Sequence, residues 1–289
     1  MTTALRPRRS ALYLPGANER ALQKAASLPA DALILDLEDS VAPGAKATAR
    51  DRVAAAAASG VYGHREVAIR VNAPGTPWHA DDLRAAAEAG PDAVVVPKVD
   101  SPDTVRRTVA ALEAAGAPDR TAVWGMIETP GAVFEARAIA AASPRLTVLV
   151  LGTNDLAAEL RAEHVPGRAP LLTALSLVLL AARATGRSVM DGVYNDVRDL
   201  PGFEAETLQA RQLGFDGKTL VHPAQLEPCN RIFAPAPAEL DRSRRIIAAF
   251  EEATSQGRGV ATVDGRMIEN LHVEEARRLL ALAEAIGGR

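Results

Sequence analysis

The chain has little of several residue types on which common classes of protein depend. It contains a single cysteine, Cys229, so it cannot form an internal disulfide framework, and this favours a reducing compartment. Aromatic residues make up only 3% of the chain, and its net charge is −3. Nucleic-acid-binding domains usually carry a basic excess, and single-strand binders also need stacking aromatic rings. We therefore expect no nucleic-acid partner.

Long apolar runs are also missing. The most apolar segment, LLTALSLVLLAARA at 171–184, is shorter than a membrane span and contains Arg183, so it is better explained as a buried helix. The N-terminal segment has no apolar stretch typical of a secretory signal. The sequence therefore predicts a cytoplasmic protein without membrane association.

What the sequence does contain is a regular alternation of short apolar segments and longer alanine-rich segments. This alternation predicts parallel strands covered by helices, and eight repeats predict an α/β fold of the (β/α)8 TIM-barrel type. An open, doubly wound sheet is the alternative, but no strand is followed by the G-x-G-x-x-G phosphate-binding signature. The predicted strands lie at 11–14, 32–37, 67–71, 93–98, 122–128, 146–152, 188–193 and 219–222.

The barrel is expected to end near residue 233. FAPAPAEL at 233–240 has the Pro and Ala content of a linker, and a helix, a turn-like segment and a final helix from about Val273 follow it. We therefore predict a catalytic barrel at 1–233 and a C-terminal helical appendage at 234–289.

Polar residues follow the ends of the predicted strands, where a TIM barrel places its active site. Glu128 and Asp155 follow neighbouring strands, and two carboxylates that leave room for water and substrate suit Mg²⁺. The alternative is that each carboxylate only caps the helix after it. The other residues at these strand ends are Pro15 and Gly16, together with the polar residues Asp36, Glu38, Asp39, Arg70, Asn72, Lys98, Asn154, Asp191 and His222.

Arg70 ends an apolar strand, and a buried guanidinium must meet an anion. Its partner is either structural, as Asp36 or Glu38 would be, or a substrate carboxylate bound by two parallel hydrogen bonds. Arg20 and Lys24 share a helix face at a spacing of four residues. Taken alone, they are ordinary solvated residues.

Eight segments in series extend from about residue 10 to the final helix: LYLPGANERALQKA, DALILDLEDSVAPGAKATAR, VAIRVN, VVVPKV, MIETPGAV, LVLGTNDLA, GFDGKTLVHPAQ and VDGRMIE. Together they resemble the citrate lyase β-subunit-like branch of the HpcH/HpaI aldolase superfamily, which includes malyl-CoA and citramalyl-CoA lyases. The resemblance implies a (β/α)8 barrel in a trimer or hexamer, with Mg²⁺ held at Glu128 and Asp155 and with Arg70 binding substrate. It implies substrate or CoA contacts at Tyr13, Arg20, Lys24, Asn154, Val221 and His222.

One position departs from the family pattern. The related lyases have an aspartate in a G-x-M-[IV]-Asp motif, where it is thought to act in a neighbouring subunit's site. This chain has GRMIE, which puts Glu269 at that position.

The function implied by the resemblance is Mg²⁺-dependent carbon–carbon cleavage of a citryl, malyl or citramalyl thioester. The products are an α-keto acid and an acetyl thioester, and the acyl group is carried by CoA or by an acyl-carrier subunit. Arg70 would stabilise developing negative charge, while Glu38 and Asp39 would orient water around the metal. The alternatives are a thioester hydrolase on the same barrel and a non-catalytic protein that binds CoA esters.

Overall fold

The computed structural model describes residues 6–288. Eight parallel strands close into a barrel in chain order, and the eighth strand pairs with the first. The barrel strands are β1 Ser10–Pro15, β2 Ala32–Asp36, β3 Glu66–Arg70, β4 Ala93–Val96, β5 Ala122–Ile127, β6 Leu146–Leu151, β7 Ser188–Asp191 and β8 Gly217–Leu220. The (β/α)8 fold predicted from the alternation is confirmed.

Helices follow the strands along the chain. They are α1 Glu19–Ala25, α2 Lys46–Ala58, α3 His79–Ala89, α4 Pro102–Ala114, α5 Pro130–Ala140, α6 Thr153–Leu160, α7 Leu172–Ala184, α8 Leu200–Leu213 and α9 Leu226–Phe233. Short 3₁₀ turns lie at Pro43–Ala45, Pro166–Leu171 and Pro223–Gln225. The outward side chains of the strands and the inner faces of the helices form one large buried apolar cluster.

A second, smaller cluster fills the inside of the barrel. It consists of inward-facing Ala, Val, Ile and Met side chains together with Trp124, which is fully buried. Successive side chains of a strand point to opposite faces. The interior set therefore takes every second residue of each strand, and the next inward position lies at the strand's carboxyl end.

Several polar residues that were predicted to end strands instead follow them. β4 ends at Val96, because Pro97 has no N–H to donate and Lys98 has a left-handed backbone with φ 51°. Glu128 is the first residue after β5, and His222 lies two residues beyond β8. They therefore lie on the loops that follow the strands at the carboxyl end of the barrel.

The apolar run at 171–184 forms α7. By length and composition alone, Pro166–Ala184 passes as a membrane span. It is not one continuous helix, because Gly167 and Arg168 have left-handed backbones with φ 77° and 54°. α7 itself has 13 residues, fewer than the about 20 that a span requires. Its inner face packs in the core, as expected for a buried helix.

Contacts divide the chain into Arg8–Phe233 and a second compact unit that contains the residues from Ala234 onward. The second unit has two long helices, α10 Pro237–Ser255 and α11 Asn270–Gly287, and two short strands, β9 Ala261–Val263 and β10 Arg266–Ile268. The strands form a hairpin across Asp264 and Gly265, which both have positive φ, as a two-residue type I′ turn requires. The hairpin segment was predicted only as turn-like. The final helix begins at Asn270, three residues before its predicted start at Val273.

Candidate active site

Four polar side chains form a layer directly above the apolar barrel interior. Ala11 and Ala32 face inward, so Tyr13 and Asp36 also face inward at the carboxyl ends of β1 and β2. The same alternation brings Arg70 inward above Ala68, and Glu128 above Trp124 and Met126. The strand register places Asp36 directly opposite Arg70.

Arg70 is the centre of a buried ion-pair network. Its Nε and Nη2 donate to the two carboxylate oxygens of Asp36 at 2.6 and 2.8 Å, and its Nη1 lies 2.8 Å from Glu38. Asp39 is more distant, at 3.6 Å, and 73% of its side chain is exposed. The guanidinium carbon lies 4.8 Å from the centre of the Tyr13 ring. Asp36 and Glu38, the two structural partners considered for Arg70, are therefore both present. Together they use three of its five N–H groups.

Burial and charge change the pKa values of these acids in opposite directions. Burial alone would raise the pKa of Asp36, but the Arg70 guanidinium and its hydrogen bonds hold the pKa below the usual range. Burial raises the pKa of Glu38 to about 8, even though Arg70 is beside it, and the nearby charges of Asp39 and Glu128 add to that increase. Asp36 is thus the permanent counter-ion of Arg70, while Glu38 can exchange a proton near neutral pH.

Glu128 is held in place from two directions. One of its carboxylate oxygens accepts a hydrogen bond from the Lys98 backbone N–H, which the left-handed conformation of that residue presents. Gly152 lies against the same carboxylate, and a Cβ at that position would come 2.2 Å from the other carboxylate oxygen. The carboxylate therefore occupies space that only a glycine leaves open. Burial raises the pKa of Glu128 to about 7.

Asp155 lies in the first turn of α6 on the same cavity. The helix begins at Thr153 with Gly152 as its N-cap, so the alternative that Asp155 caps the helix is wrong. The capping alternative for Glu128 is wrong too, because Thr129 caps α5. Lys98 Nζ lies 3.7 Å from an oxygen of Asp155. The Lys98 ammonium therefore already forms an ion pair with the Asp155 carboxylate.

The two acids fit a hard divalent cation. Both offer oxygen ligands, and both line one cavity with space beside them. Among residues 6–288, no cluster of three or more His, Cys, Asp or Glu side chains is arranged to hold a metal. The protein would therefore contribute the two carboxylates predicted from the sequence, and water and substrate would complete the coordination shell.

The cavity has a volume of about 390 Å³ and opens at the carboxyl ends of the strands. A larger hollow of about 650 Å³ lies between α3 and α4, away from the strand ends, and it contains none of the predicted site residues. We take the smaller cavity as the candidate active site because the charged layer faces it. Its lining includes Tyr13, Asp36, Asp39, Arg70, Glu128, Asn154, Asp155 and Val221.

Other predicted residues lie outside the cavity lining. Arg20 and Lys24 are exposed on α1, with no ion pair in the described part of the chain. His222 is exposed, and its Nδ1 accepts the Ala224 N–H at the start of a 3₁₀ turn. Glu269 belongs to the second unit, where it takes the N-cap position of α11 and donates its N–H to His272 Nδ1. Its backbone thus occupies the helix-capping position of α11, which gives the residue a structural role within its own unit.

Sequence reasoning missed two contributors. Asn195 lies on the loop after β7 and lines the cavity, but it does not directly follow a strand. Lys46 belongs to α2, yet it is buried and donates to the backbone carbonyls of Leu37 and Glu38 at 2.8 and 2.7 Å. It thereby fixes the loop that carries Glu38.

Residues 9–223 match the model of the HpcH/HpaI aldolase/citrate lyase family. The chain belongs to this family. Among its family relatives, a (3S)-malyl-CoA thioesterase of Cereibacter sphaeroides is 51% identical over 282 residues, covering 97% of this chain and 96% of the relative. The citrate lyase β subunit of Escherichia coli is 38% identical over 289 residues, covering 98% and 96%.

A solved structure of this family shows the same overall fold. Protein CitE from Mycobacterium tuberculosis, in complex with magnesium, acetoacetate and coenzyme A, superposes with a TM-score of 0.78 and 29% sequence identity. The match covers 95% of this chain and 97% of that protein. The resemblance drawn from the eight strand-end segments is therefore confirmed.

Proposed function

We propose that this chain is a Mg²⁺-dependent enzyme that hydrolyses the CoA thioester of a hydroxy dicarboxylic acid of the malyl type. The observation that carries the choice of reaction is the 51% identity, over almost the full length of both chains, to a malyl-CoA thioesterase. The cavity supports the substrate class, because it combines a carboxylate pair for a divalent cation with a guanidinium that has two free N–H groups. The magnesium and coenzyme A of the CitE structure support the same assignment.

Bound by Glu128 and Asp155, Mg²⁺ would supply Lewis acidity toward the oxygens of the substrate. Arg70 keeps two N–H groups for substrate oxygen, and its pairing with Asp36 fixes their direction. Asp39 lines the cavity and is largely exposed, so we assign it the role of the base that accepts a proton from the attacking water. The water oxygen bonds to the thioester carbon, the carbon–sulfur bond breaks, and the departing thiolate takes the proton that Asp39 accepted from the water.

Carbon–carbon cleavage is the second candidate. It is favoured by the citrate lyase β subunit at 38% identity and by the same cavity, which would bind the same type of substrate. In this reaction Arg70 stabilises the enolate of the acetyl thioester, and Glu38 and Asp39 orient water. Glu269 disfavours it, because the related lyases have the shorter aspartate at that position.

The remaining assignments concern the far end of the substrate and the assembly. Arg20 and Lys24 are exposed cations, and we assign them to the phosphates of CoA, with Tyr13, Val221 and His222 as further contacts. An acyl-carrier subunit is the alternative carrier. We also propose a trimer or hexamer in the cytoplasm, where the single buried thiol of Cys229 stays reduced.

Product analysis tests the proposed reaction. Purified protein is incubated with malyl-, citramalyl- and citryl-CoA and Mg²⁺, and the products are separated by chromatography. Free CoA with intact hydroxy acid supports hydrolysis, whereas acetyl-CoA with an α-keto acid supports the lyase. No cleavage, together with no Mg²⁺ binding in calorimetry, would leave a non-catalytic CoA-ester-binding protein.

Two variants test the metal site in the same assay. Glu128→Ala and Asp155→Ala should each lose activity by more than about a hundredfold, since each removes a metal ligand. Glu135→Ala, an exposed carboxylate on α5, serves as the control and should keep normal activity. Mg²⁺-dependent turnover near the parent level in both cavity variants would refute the metal assignment.

A further inference from the structure

Two asparagines bind each other at the cavity wall. The Asn154 side-chain N–H donates to Asn195 Oδ1 at 3.1 Å, and the Asn195 side-chain N–H donates to Asn154 Oδ1 at 2.8 Å. Asn154 lies in the first turn of α6, and Asn195 lies on the loop after β7, so this pair joins the start of α6 to that loop. Both residues line the cavity.

The chemistry of the pair differs from that of the rest of the cavity. Arg70 and Lys98 supply positive charge, and the acids supply negative charge, so a substrate carboxylate is already provided for. An amide is neutral and offers both a donor and an acceptor. Each amide nitrogen has a second hydrogen, and each oxygen has a second lone pair, beyond those used between the two asparagines. An amide of a ligand has a donor and an acceptor of its own and can therefore use both.

The pair can also open at small cost. Both side chains are exposed, and a hydrogen bond between exposed groups contributes little because water competes for the same atoms. The apolar side chains of Val193 and Val221 lie on the same cavity lining. A chain that alternates methylene and amide groups would therefore find both kinds of partner here.

We propose that Asn154 and Asn195 form a subsite for the amide-bearing thiol arm of the thioester substrate. This inference rests on the proposed function, since the pantetheine arm of CoA is the part of such a substrate that carries amides. One or both asparagines exchange the hydrogen bond of the pair for one to an arm amide, and the valines contact its methylene groups. Asn195 then selects for amide-containing thiols and takes no part in bond cleavage.

Two thioesters of the same acid test the subsite. One carries pantetheine, and the other carries n-pentanethiol, which has no amide. Asn195→Leu should lower kcat/KM for the pantetheine ester about fivefold, the usual effect of one lost neutral hydrogen bond. It should leave the pentyl ester within about twofold. Gln256→Leu, which removes an exposed amide in the second unit, is the control and should change neither ratio.

Equal losses of kcat/KM for both esters would refute the subsite. The asparagine pair would then have only a structural role. Calorimetry with free pantetheine separates this proposal from the proposed function, because it requires no turnover. If no thioester is cleaved but pantetheine binds about fivefold more weakly to Asn195→Leu, the subsite stands and the assigned reaction fails. If the parent protein binds no pantetheine and its two esters react equally, the subsite is refuted.

Discussion

Replacing Glu128 by glutamine should stabilise the metal-free protein while it abolishes the response to Mg²⁺. Burial raises the pKa of Glu128 from 4.5 to about 7, so the folded state holds a proton that the unfolded state releases at lower pH. Stability therefore falls as pH rises from 4.5 towards 7, and the loss is complete above 7. At about 1.4 kcal/mol per pKa unit, the carboxylate costs the folded state about 3 kcal/mol at pH 8.

Glutamine removes this cost and retains the geometry. It has nearly the same volume and keeps an oxygen that can accept the Lys98 N–H. In EDTA at pH 8, the variant should melt about 6–12 °C above the parent protein, given roughly 2–4 °C per kcal/mol for a domain of a few hundred residues. At pH 5 most of the difference should disappear, because the parent's Glu128 is then protonated.

Mg²⁺ should reverse the order of stability. At a concentration about a thousand times the dissociation constant, it adds about 4.1 kcal/mol to the parent protein, more than the about 3 kcal/mol that the carboxylate costs, and it adds nothing to the variant. The measurement is a set of calorimetric melts at pH 5 and 8, with and without Mg²⁺, with Glu135→Gln as the exposed control. Equal melting temperatures of the variant and the parent in EDTA at pH 8 would refute the buried, destabilising carboxylate.

Four further substitutions test the other parts of the site. Arg70→Lys should lower kcat/KM about a hundredfold, since an ammonium cannot reproduce the planar two-pronged contact of a guanidinium with a carboxylate; near-normal kinetics would make Arg70 a simple point charge. Arg20→Ala and Lys24→Ala should raise KM for a CoA ester several-fold in a salt-dependent way with little change in kcat, and an unchanged KM would remove them from the phosphate site. Glu269→Ala should be inactive if Glu269 acts across subunits, and mixing it with Glu128→Ala subunits should restore part of the activity; full activity of Glu269→Ala alone would exclude a catalytic role.

The fold was predictable because it depends on repeated, local signals. Apolar strands alternate with alanine-rich helices, and the strand alternation alone brings Tyr13, Asp36, Arg70 and Glu128 to one layer. The sequence offered Asp36, Glu38 or a substrate carboxylate as the partner of Arg70. The strand register places Asp36 directly opposite Arg70. Local periodicity was therefore enough to predict which elements carry the site.

Residues that act through loops or against the usual tendency of their side chain could not be predicted in this way. Lys46 belongs to a helix that reads as solvated, and only tertiary packing shows that it binds backbone carbonyls. Asn195, on the loop after β7, meets Asn154 at the start of α6, and their pairing depends on the path of that loop. The Asp264–Gly265 hairpin was missed because its strands have only three residues each.

The charges around the cavity link the fold to the metal. Buried carboxylates are costly unless cations balance them, and here five acids face two basic side chains. Asp36 is fully matched by Arg70, so the imbalance falls on the others, and the pKa values of Glu38 and Glu128 rise to about 8 and about 7. A divalent cation between Glu128 and Asp155 would remove most of that excess, and it would return Glu128 to its charged form. The burial of Glu128 destabilises the metal-free protein, and the same burial would favour the binding of Mg²⁺. The acids are Asp36, Glu38, Asp39, Glu128 and Asp155, and the bases are Arg70 and Lys98.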